Sequence, residues 1–308
     1  SYSSFTDLSA IFQFLQNIHD QFSIDISCKN QIFVLQQCKT CIYKKSISRQ
    51  NKMNKSLLLG ELAAVPLLVL ARYYFQKTVR RFAGNDKNGK KVAEAAYFGT
   101  QYLLLSLVAA FIVYDQKLLS TKAVYQDFSV SAPTAVQTLY IVLELGIYLS
   151  ACVFLCFEER KTNADFGMLV VHHVVTLTLL YLGWSLKLYN ISIAIAALHD
   201  FSDVILEYSK IFYYNKRVRT SNAIFTTFAV SFIVSRLYVF PKFFILPWYN
   251  GKFRAALGSW PFTVGQTKAI PVILSILVCL HSIWSFFILR VIYNMFKGRK
   301  AGDKYESD

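Results

Sequence analysis

Charged residues are scarce in this chain. They make up 17% of its 308 residues, whereas hydrophobic residues make up 55%. A soluble globular domain usually has roughly 25% charged residues and about 45–50% apolar residues. The scarcity of charge therefore argues against a soluble domain and predicts a protein that crosses a membrane several times.

Histidine and cysteine are also few, which limits the metal sites that the chain could build. Its 5 His cannot supply the many HxxxH and HxxHH patterns of membrane di-iron hydroxylases, so that class is excluded. The single CxxC, at Cys38 and Cys41, has no second pair with which to form a four-thiolate zinc site. No period of 20–50 residues repeats along the sequence, which argues against an array of repeats.

What the sequence does have is long apolar runs. A helix needs roughly 20 apolar residues to cross the hydrocarbon core of a bilayer. Seven runs meet that length, and they cover about 55–74, 94–114, 134–157, 168–187, 191–213, 222–246 and 268–296. We therefore expect an all-α, polytopic membrane protein with about seven transmembrane helices.

The net charge of +15 is explained by the positions of the basic residues. If the first span runs inward, the cytosolic loops and tail hold fifteen Lys and Arg, and the opposite loops hold five. Cytoplasmic loops of membrane proteins carry such an excess. The asymmetry predicts a cytosolic C-terminus and removes the need for a nucleic-acid partner.

The chain divides into four segments on this reading. Residues 1–52 are polar and mixed, and Met53 directly precedes the first long apolar run, so we interpret 1–52 as an extension outside the native protein. Residues 53–93 form the first transmembrane helix and a basic cytosolic loop. The membrane domain proper spans 94–297, and 298–308 is a cytosolic tail.

The fifth apolar run contains an unexpected concentration of ionisable residues, in the stretch HDFSDVILEYSK at 199–210. Three carboxylates facing lipid would cost on the order of 8–10 kcal/mol on insertion scales, so they must face protein, water or a ligand. Helical spacing places four ionisable residues of this stretch on one continuous face, with His199 at its edge. These four residues are Asp200, Asp203, Glu207 and Lys210. The alternative is structural: Glu207 and Lys210 form an ion pair, and the other residues join helices.

The preceding run carries a histidine pair, His172 and His173, in VVHHVVT. Thr176 lies one turn from both and could orient either. Only about three residues near 188–190 join the two runs, which predicts an antiparallel hairpin that brings the pair to the depth of Asp203 and Glu207. The sequence thus predicts a buried site, open to the cytosol, in which imidazoles and carboxylates share one depth.

Histidine beside carboxylate suits proton transfer and acyl transfer without a metal. One imidazole can take a proton from a nucleophile or accept an acyl group, and a carboxylate can hold its tautomer. A zinc ion held by His172 or His173, His199 and an aspartate is the alternative, although no i, i+4 histidine pair supports it. Because the site is buried among apolar helices, its substrates must be lipids.

These residues resemble a known family. HHVVT at 172–176 followed by HDFSDVILEYSK closely resembles the Lag1 motif of the ceramide synthases, within the wider TRAM-Lag1-CLN8 (TLC) family. VLELGIYLS at 142–150 and SRLYVFP at 235–241 support the resemblance, which covers about 94–297. One departure is that EAAYFGTQY at 94–102 lacks the Trp-Arg pair that the family usually has early in its core.

The resemblance implies an enzyme of the endoplasmic reticulum membrane that transfers an acyl chain from acyl-CoA to a sphingoid base, with no bound cofactor. It implies a core of six helices around a lipid tunnel, and a dimer with itself or a relative. His172 and His173 would be catalytic with Asp200 and Asp203, and the stretch 247–267 would help to set acyl-chain length. The remaining motif residues would support them: Thr176, His199, Ser202, Glu207 and Lys210.

A separate hypothesis rests on charge alone. Lys216, Arg217 and Arg219 follow the motif at its cytosolic end and could attract the phosphates of coenzyme A, although positive-inside topology explains them equally well.

The functional alternatives to the enzyme are a lipid-sensing or translocon-associated protein and a lipid carrier. Neither would need two histidines and two aspartates at one depth of the membrane.

Overall fold

The structure is a computed structural model that describes residues 33–116, 118, 133–156, 166–250 and 264–297. Every element in these ranges is helical. We number the seven helices in chain order: α1 (Phe33–Ala83), α2 (Lys87–Asp115), α3 (Ala135–Cys156), α4 (Phe166–Ser185), α5 (Tyr189–Tyr214), α6 (Val218–Tyr249) and α7 (Val264–Phe296). The predicted all-α class is confirmed.

Five of the described helices are long and apolar enough to cross a membrane by length and composition: α2, α3, α4, α6 and α7. The charged stripe lies on α5, and it lowers the apolar character of that helix. Large apolar side chains on the outer faces of the bundle are exposed, including Leu104, Leu107 and Phe286. An exterior of this kind matches a lipid surface, and together with the helix lengths it makes the chain a multi-pass membrane protein.

α1 begins earlier than the sequence indicates. It starts at Phe33 and runs for 51 residues, so it extends well into the stretch interpreted as an extension. At about 1.5 Å per residue it is roughly 75 Å long, more than twice the thickness of a hydrocarbon core. Residues 1–32 and the tail from 298 lie outside the described residues.

Local sequence explains the junction between α1 and α2. Gly84 has a φ of 94°, a left-handed conformation that glycine adopts at low cost, and its N–H donates to the carbonyl of Arg80 at 2.9 Å. Asp86 then caps α2, since its carboxylate accepts from the N–H of Gly89 at 2.9 Å. The chain can therefore reverse direction within three residues.

The helix that carries the charged stripe, α5, packs mainly against α2 and α6. Gly99 of α2 allows the first of these contacts, because a Cβ at that position would lie only 3.3 Å from the Cβ of Glu207. α4 and α5 form the expected hairpin, joined by residues 186–188, but they touch each other only lightly. Space therefore opens between the two helices that carry the motif.

α6 changes its winding where it faces α5. It is α-helical over Val218–Ile233, π-helical over Val234–Val239 and Pro241–Ile245, and α-helical again over Leu246–Tyr249. A proline inside a helix has no N–H to donate and clashes with the preceding turn, and wider turns accommodate it. Widened turns of this kind occur often at functional sites.

The candidate active site

The paired histidines of α4 lie on either side of a tyrosine from α3. The ring of Tyr148 is centred 6.2 Å from that of His172 and 5.6 Å from that of His173, and the two imidazoles are 5.8 Å apart and nearly perpendicular. Consecutive residues on a helix point about 100° apart, so the pair reaches two different spaces. Tyr148 forms the wall between these spaces.

The hydrogen bond of His173 determines which of its nitrogens can react. Its Nδ1 lies 2.8 Å from the carbonyl oxygen of Leu169. A carbonyl can only accept, so Nδ1 carries the proton in the neutral ring and Nε2 carries the lone pair. The tautomer of His173 is thus held by a backbone carbonyl and not by the carboxylate that the sequence suggested.

His172 has different surroundings. Its ring packs edge-on against Trp284 of α7, with centroids 5.2 Å apart, and lies 6.5 Å from the ring of His281 on the same helix. Within the described part of the chain, Nδ1 of His172 has no hydrogen-bond partner. Thr176, expected to orient one of the pair, has its Oγ1 buried without a partner among the same residues, so it bonds to neither imidazole.

The stripe on α5 is held by an arginine of α6 that the sequence analysis did not single out. Nη2 of Arg236 donates to Oδ1 of Asp203 at 2.7 Å, to Oγ of Ser202 at 2.9 Å and to the carbonyl of His199 at 3.0 Å. Arg236 is 4% exposed, and its guanidinium lies over the ring of Phe232 at 4.4 Å. It occupies the first π-helical segment, which faces the motif.

Asp200 points to a different neighbour from Asp203. It is 3% exposed and accepts a hydrogen bond from the hydroxyl of Tyr140 at 3.4 Å. Glu144 of α3, also buried, lies beside both groups. The two aspartates are therefore separated: Asp200 faces α3, and Asp203 faces α6.

Glu207 and Lys210 form the ion pair that the structural alternative predicted. Their Oε1 and Nζ atoms are 2.6 Å apart, with the Glu207 side chain 8% exposed and that of Lys210 40% exposed. Both residues also line a cavity, so they belong to the candidate site as well as forming a structural ion pair.

Two cavities meet at the histidine pair. The first spans about 730 Å³, part of it open to the surroundings, and its lining is mainly apolar: it is formed by side chains of α4, α5 and α7, by Trp248 of α6, and by Glu144 and Tyr148 of α3. It extends from His172 and His199 toward the turn between α4 and α5. The second spans about 1300 Å³, part of it open to the surroundings, and is lined by residues of α1 to α5. We call it the polar cavity because charged side chains accompany the apolar and aromatic ones in its lining, including Arg72, Lys91, Glu94, Glu207 and Lys210. It extends from His173 toward the opposite ends of those helices.

Among the described residues, only Glu144 and Tyr148 line both cavities. The predicted site is therefore divided. His172, His199 and Thr176 line the apolar cavity; His173, Glu207 and Lys210 line the polar one. Within the described ranges, no carboxylate lies within ion-pair or hydrogen-bond distance of an imidazole, because the aspartates bond instead to Tyr140 and Arg236.

The three cations that follow the motif are not part of either lining. Lys216, Arg217 and Arg219 are exposed at the junction of α5 and α6. The cations that do line the polar cavity are Arg72, Lys91 and Lys210. Arg72 also lies 3.8 Å from the ring of Phe154 and 3.4 Å from a carboxylate oxygen of Glu94.

Four residues at this site were missed as functional candidates, although three of them had a sequence signal. Glu144, Arg236 and His281 are ionisable residues in apolar runs, and such residues are functional candidates by default. Tyr148 had no comparable signal, since aromatic residues are common throughout the spans. Among the described residues, no group of three or more His, Cys, Asp and Glu is arranged to hold a metal ion.

Comparison with known proteins finds relatives that are named ceramide synthases. The chain is 32% identical to ceramide synthase 4 of Mus musculus over 232 residues, which are 74% of this chain and 57% of that protein. It is 32% identical over 173 residues to ceramide synthase hyl-1 of Caenorhabditis elegans, covering 53% of this chain and 46% of that protein. For ceramide synthase LOH2 of Arabidopsis thaliana the identity is 31% over 179 residues, covering 55% and 57%.

The chain thus spans about half the length of the curated relatives that it matches. A family model described as the TLC domain matches residues 91–290, which include both motif helices, the arginine of α6 and most of α7. The match covers more than half of the chain and all of the residues that line the two cavities on α4 and α5. The chain therefore belongs to the TLC domain family.

Proposed function

We propose that this protein is a ceramide synthase, which transfers a fatty acyl chain from acyl-CoA to the amine of a sphingoid base and yields dihydroceramide or ceramide. The observation that carries the proposal is the position of the histidine pair, at the boundary between an apolar and a polar cavity. An acyl thioester has the same division, since its chain is apolar and its coenzyme A end is polar and charged. The names of the relatives support the same reaction.

The two histidines take different roles in this proposal. The acyl chain occupies the apolar cavity, which brings its thioester carbonyl to His172. The imidazole nitrogen attacks that carbon, the C–S bond breaks, and coenzyme A leaves as the thiolate through the polar cavity, while the acylated ring keeps the proton on its other nitrogen. The acyl group is then attached to His172, as in other covalent acyl transfers.

The second step forms the amide. The amine of the sphingoid base attacks the acyl carbon, and the bond from that carbon to the imidazole breaks. The proton that the amine loses passes to Nε2 of His173, the nitrogen left without a proton by the bond from Nδ1 to Leu169. Because His173 lines the polar cavity, the proton can leave toward water.

The aspartates act at a distance from the reacting atoms in this scheme. Asp203 and Ser202 hold Arg236 against α5, which fixes the position of His199 through its carbonyl. Asp200 ties α5 to Tyr140 of α3. Both aspartates therefore support the site by holding α5 in position against α6 and α3, which form walls of the cavities.

Coenzyme A carries several phosphates, and cations near the polar cavity favour its approach. Lys210 and Lys91 line that cavity. Lys216, Arg217 and Arg219 are exposed beyond the end of α5, where they attract the phosphates over a longer range. No bound cofactor is required by this chemistry, since acyl-CoA is consumed as a substrate.

Further properties follow from the same proposal. The enzyme resides in the endoplasmic reticulum membrane with its C-terminus in the cytosol, and it pairs with itself or a relative. Acyl-chain length is read in part by the stretch 247–267, of which Trp248 lines the apolar cavity. Residues 251–263 of that stretch lie outside the described residues.

The test is an acyl-transfer assay on membranes from cells stripped of their own ceramide synthases, with sphinganine and acyl-CoA of several lengths. We expect ceramide from the wild type and none from His172→Ala or His173→Ala at equal expression. Val171→Ala is the matched control, because Val171 is the exposed neighbour of His172 and should leave activity unchanged. No product at any chain length from folded wild type would reject the enzyme and leave a lipid carrier, sensor or scaffold.

A further inference from the structure

A second group of histidines lies behind the reactive pair. The ring of His281, on α7, is centred 4.9 Å from that of His199 and 6.5 Å from that of His172. Three helices thus each contribute one imidazole to a single cluster. His281 is 0% exposed, and His199 is 8% exposed.

The ring nitrogens in this cluster lack protein partners. Nδ1 of His172, Nε2 of His199 and both nitrogens of His281 are buried without a hydrogen-bond partner among the described residues. The remaining sides of His281 are closed by the rings of Phe232, Phe240 and Trp284, which offer no strong acceptor. Buried polar groups in proteins are almost always hydrogen-bonded, and internal water is the usual partner where two to four polar groups converge.

The tautomer of one ring determines the direction of the bonds around such a water. Nδ1 of His199 lies 2.7 Å from the carbonyl of Ile195, so it donates and leaves Nε2 as an acceptor. A water between the rings therefore donates to Nε2 of His199. It keeps a second O–H and two lone pairs, and the two lone pairs can accept the N–H of His281 and the Nδ1–H of His172.

We propose that His199 and His281, through a buried water, fix the tautomer of His172 with its proton on Nδ1 and its Nε2 lone pair toward the apolar cavity. His281 and His199 are positioning residues, because they act through His172. The consequence for catalysis rests on the proposed function, in which His172 accepts the acyl group. The tautomer itself does not depend on that function.

The experiment measures two quantities on the full-length protein in membranes. The first is the rate at which diethyl pyrocarbonate modifies His172, followed by mass spectrometry of the peptide. This reagent reacts with an imidazole nitrogen that carries a lone pair, so it reports whether Nε2 is available from the cavity. The second is kcat and KM for acyl transfer.

His281→Leu should slow modification of His172 and lower kcat by about tenfold or more, the scale on which losing the hydrogen bond that orients a metal-bound imidazole lowers activity. KM for both substrates should be unchanged. His281→Gln keeps a donor and an acceptor in the side chain, so it should restore both rates to within about threefold of wild type. Leu280→Ala, a buried core change next to His281 on the same helix, should leave the modification rate of His172 unchanged.

Modification of His172 at the wild-type rate in His281→Leu would overturn the proposal, and so would equal losses in His281→Leu and His281→Gln. If His281→Leu fails to fold, His199→Leu is the second variant. It removes the imidazole nitrogen that accepts a hydrogen bond from the water, so it should also slow modification of His172 and lower kcat. The wild type could form no ceramide while the variants still change the modification rate of His172 as expected. That result would reject the proposed function and support the role of His281 and His199 in fixing the tautomer of His172.

Discussion

Arg236 and Asp203 join two helices through a bond of 2.7 Å between Nη2 and Oδ1. The side chain of Arg236 is 5% exposed and that of Asp203 is 26% exposed, so the pair is mostly removed from solvent. Breaking a buried pair by removing one partner leaves an uncompensated charge, which costs more than the pair itself contributes.

This pair gives a prediction about stability. Arg236→Met should destabilise the protein by about 3 kcal/mol, the lower end of the range for buried pairs, because the Asp203 side chain is 26% exposed. Arg236→Met combined with Asp203→Asn should recover part of that loss, since no carboxylate is then left unpaired. Thermal unfolding in detergent measures both. If the double variant is less stable than Arg236→Met, Asp203 is not the partner that matters.

Tyr148 should act through its ring more than through its hydroxyl. The ring packs against both imidazoles and forms the wall between the cavities. Tyr148→Ala removes two aromatic contacts of about 0.5–1.5 kcal/mol each, so both imidazoles lose the ring that positions them and kcat should fall about tenfold or more. Tyr148→Phe should change kcat by less than about threefold. Equal losses in both variants would assign the effect to the hydroxyl.

Trp248 should limit the length of the acyl chain. It lines the apolar cavity at the end of α6. Trp248→Ala enlarges the cavity, so the preferred acyl-CoA should become longer by about two to four carbons, at about 0.8 kcal/mol for each buried CH₂. Competition between acyl-CoA species, read by mass spectrometry of the ceramides, measures the shift. The neighbouring Tyr249 is 60% exposed and does not line the cavity, so Tyr249→Ala should keep the wild-type preference.

The stability of the protein should depend on the size of the side chain at position 99, where the native residue is Gly99. A Cβ there meets the Cβ of Glu207 at 3.3 Å, so Gly99→Leu should force α2 from α5 and destabilise the protein by about 1–3 kcal/mol. Gly167 offers the matched control, because a Cβ at that position meets nothing within 4 Å. Gly167→Ala should be neutral or stabilising by up to about 1 kcal/mol, since alanine favours the helix more than glycine does. Equal thermal shifts for the two variants would contradict close packing at Gly99.

The exposed cations beyond α5 should affect the binding of acyl-CoA and not the chemical step. Reversing the charge of Lys216, Arg217 and Arg219 together should raise the apparent KM for acyl-CoA and leave kcat unchanged, because these residues line neither cavity. The difference from wild type should shrink as salt rises, since exposed charges are screened. The KM for the sphingoid base serves as the internal control. An unchanged KM for acyl-CoA at low salt would show that positive-inside topology alone explains these residues.

The amino-acid sequence by itself determined the helical, membrane-spanning class and the approximate position of each apolar run. The lengths of the apolar runs were sufficient for this, because a bilayer imposes one length on every span. It also determined which residues of α5 share a face and identified the histidine pair, and it offered the Glu207–Lys210 ion pair as the structural alternative that the structure confirms. All of these depend on helical spacing within one segment.

Only the tertiary structure decided which groups meet across segments. Spacing along α5 cannot tell that Asp203 bonds to Arg236 of α6 while Asp200 bonds to Tyr140 of α3. Spacing cannot show that α4 and α5 separate around Tyr148, or that His281 of α7 approaches His199. These contacts depend on the rotation of each helix about its axis and on the π-helical turns of α6, which packing between helices determines and periodicity within one helix does not.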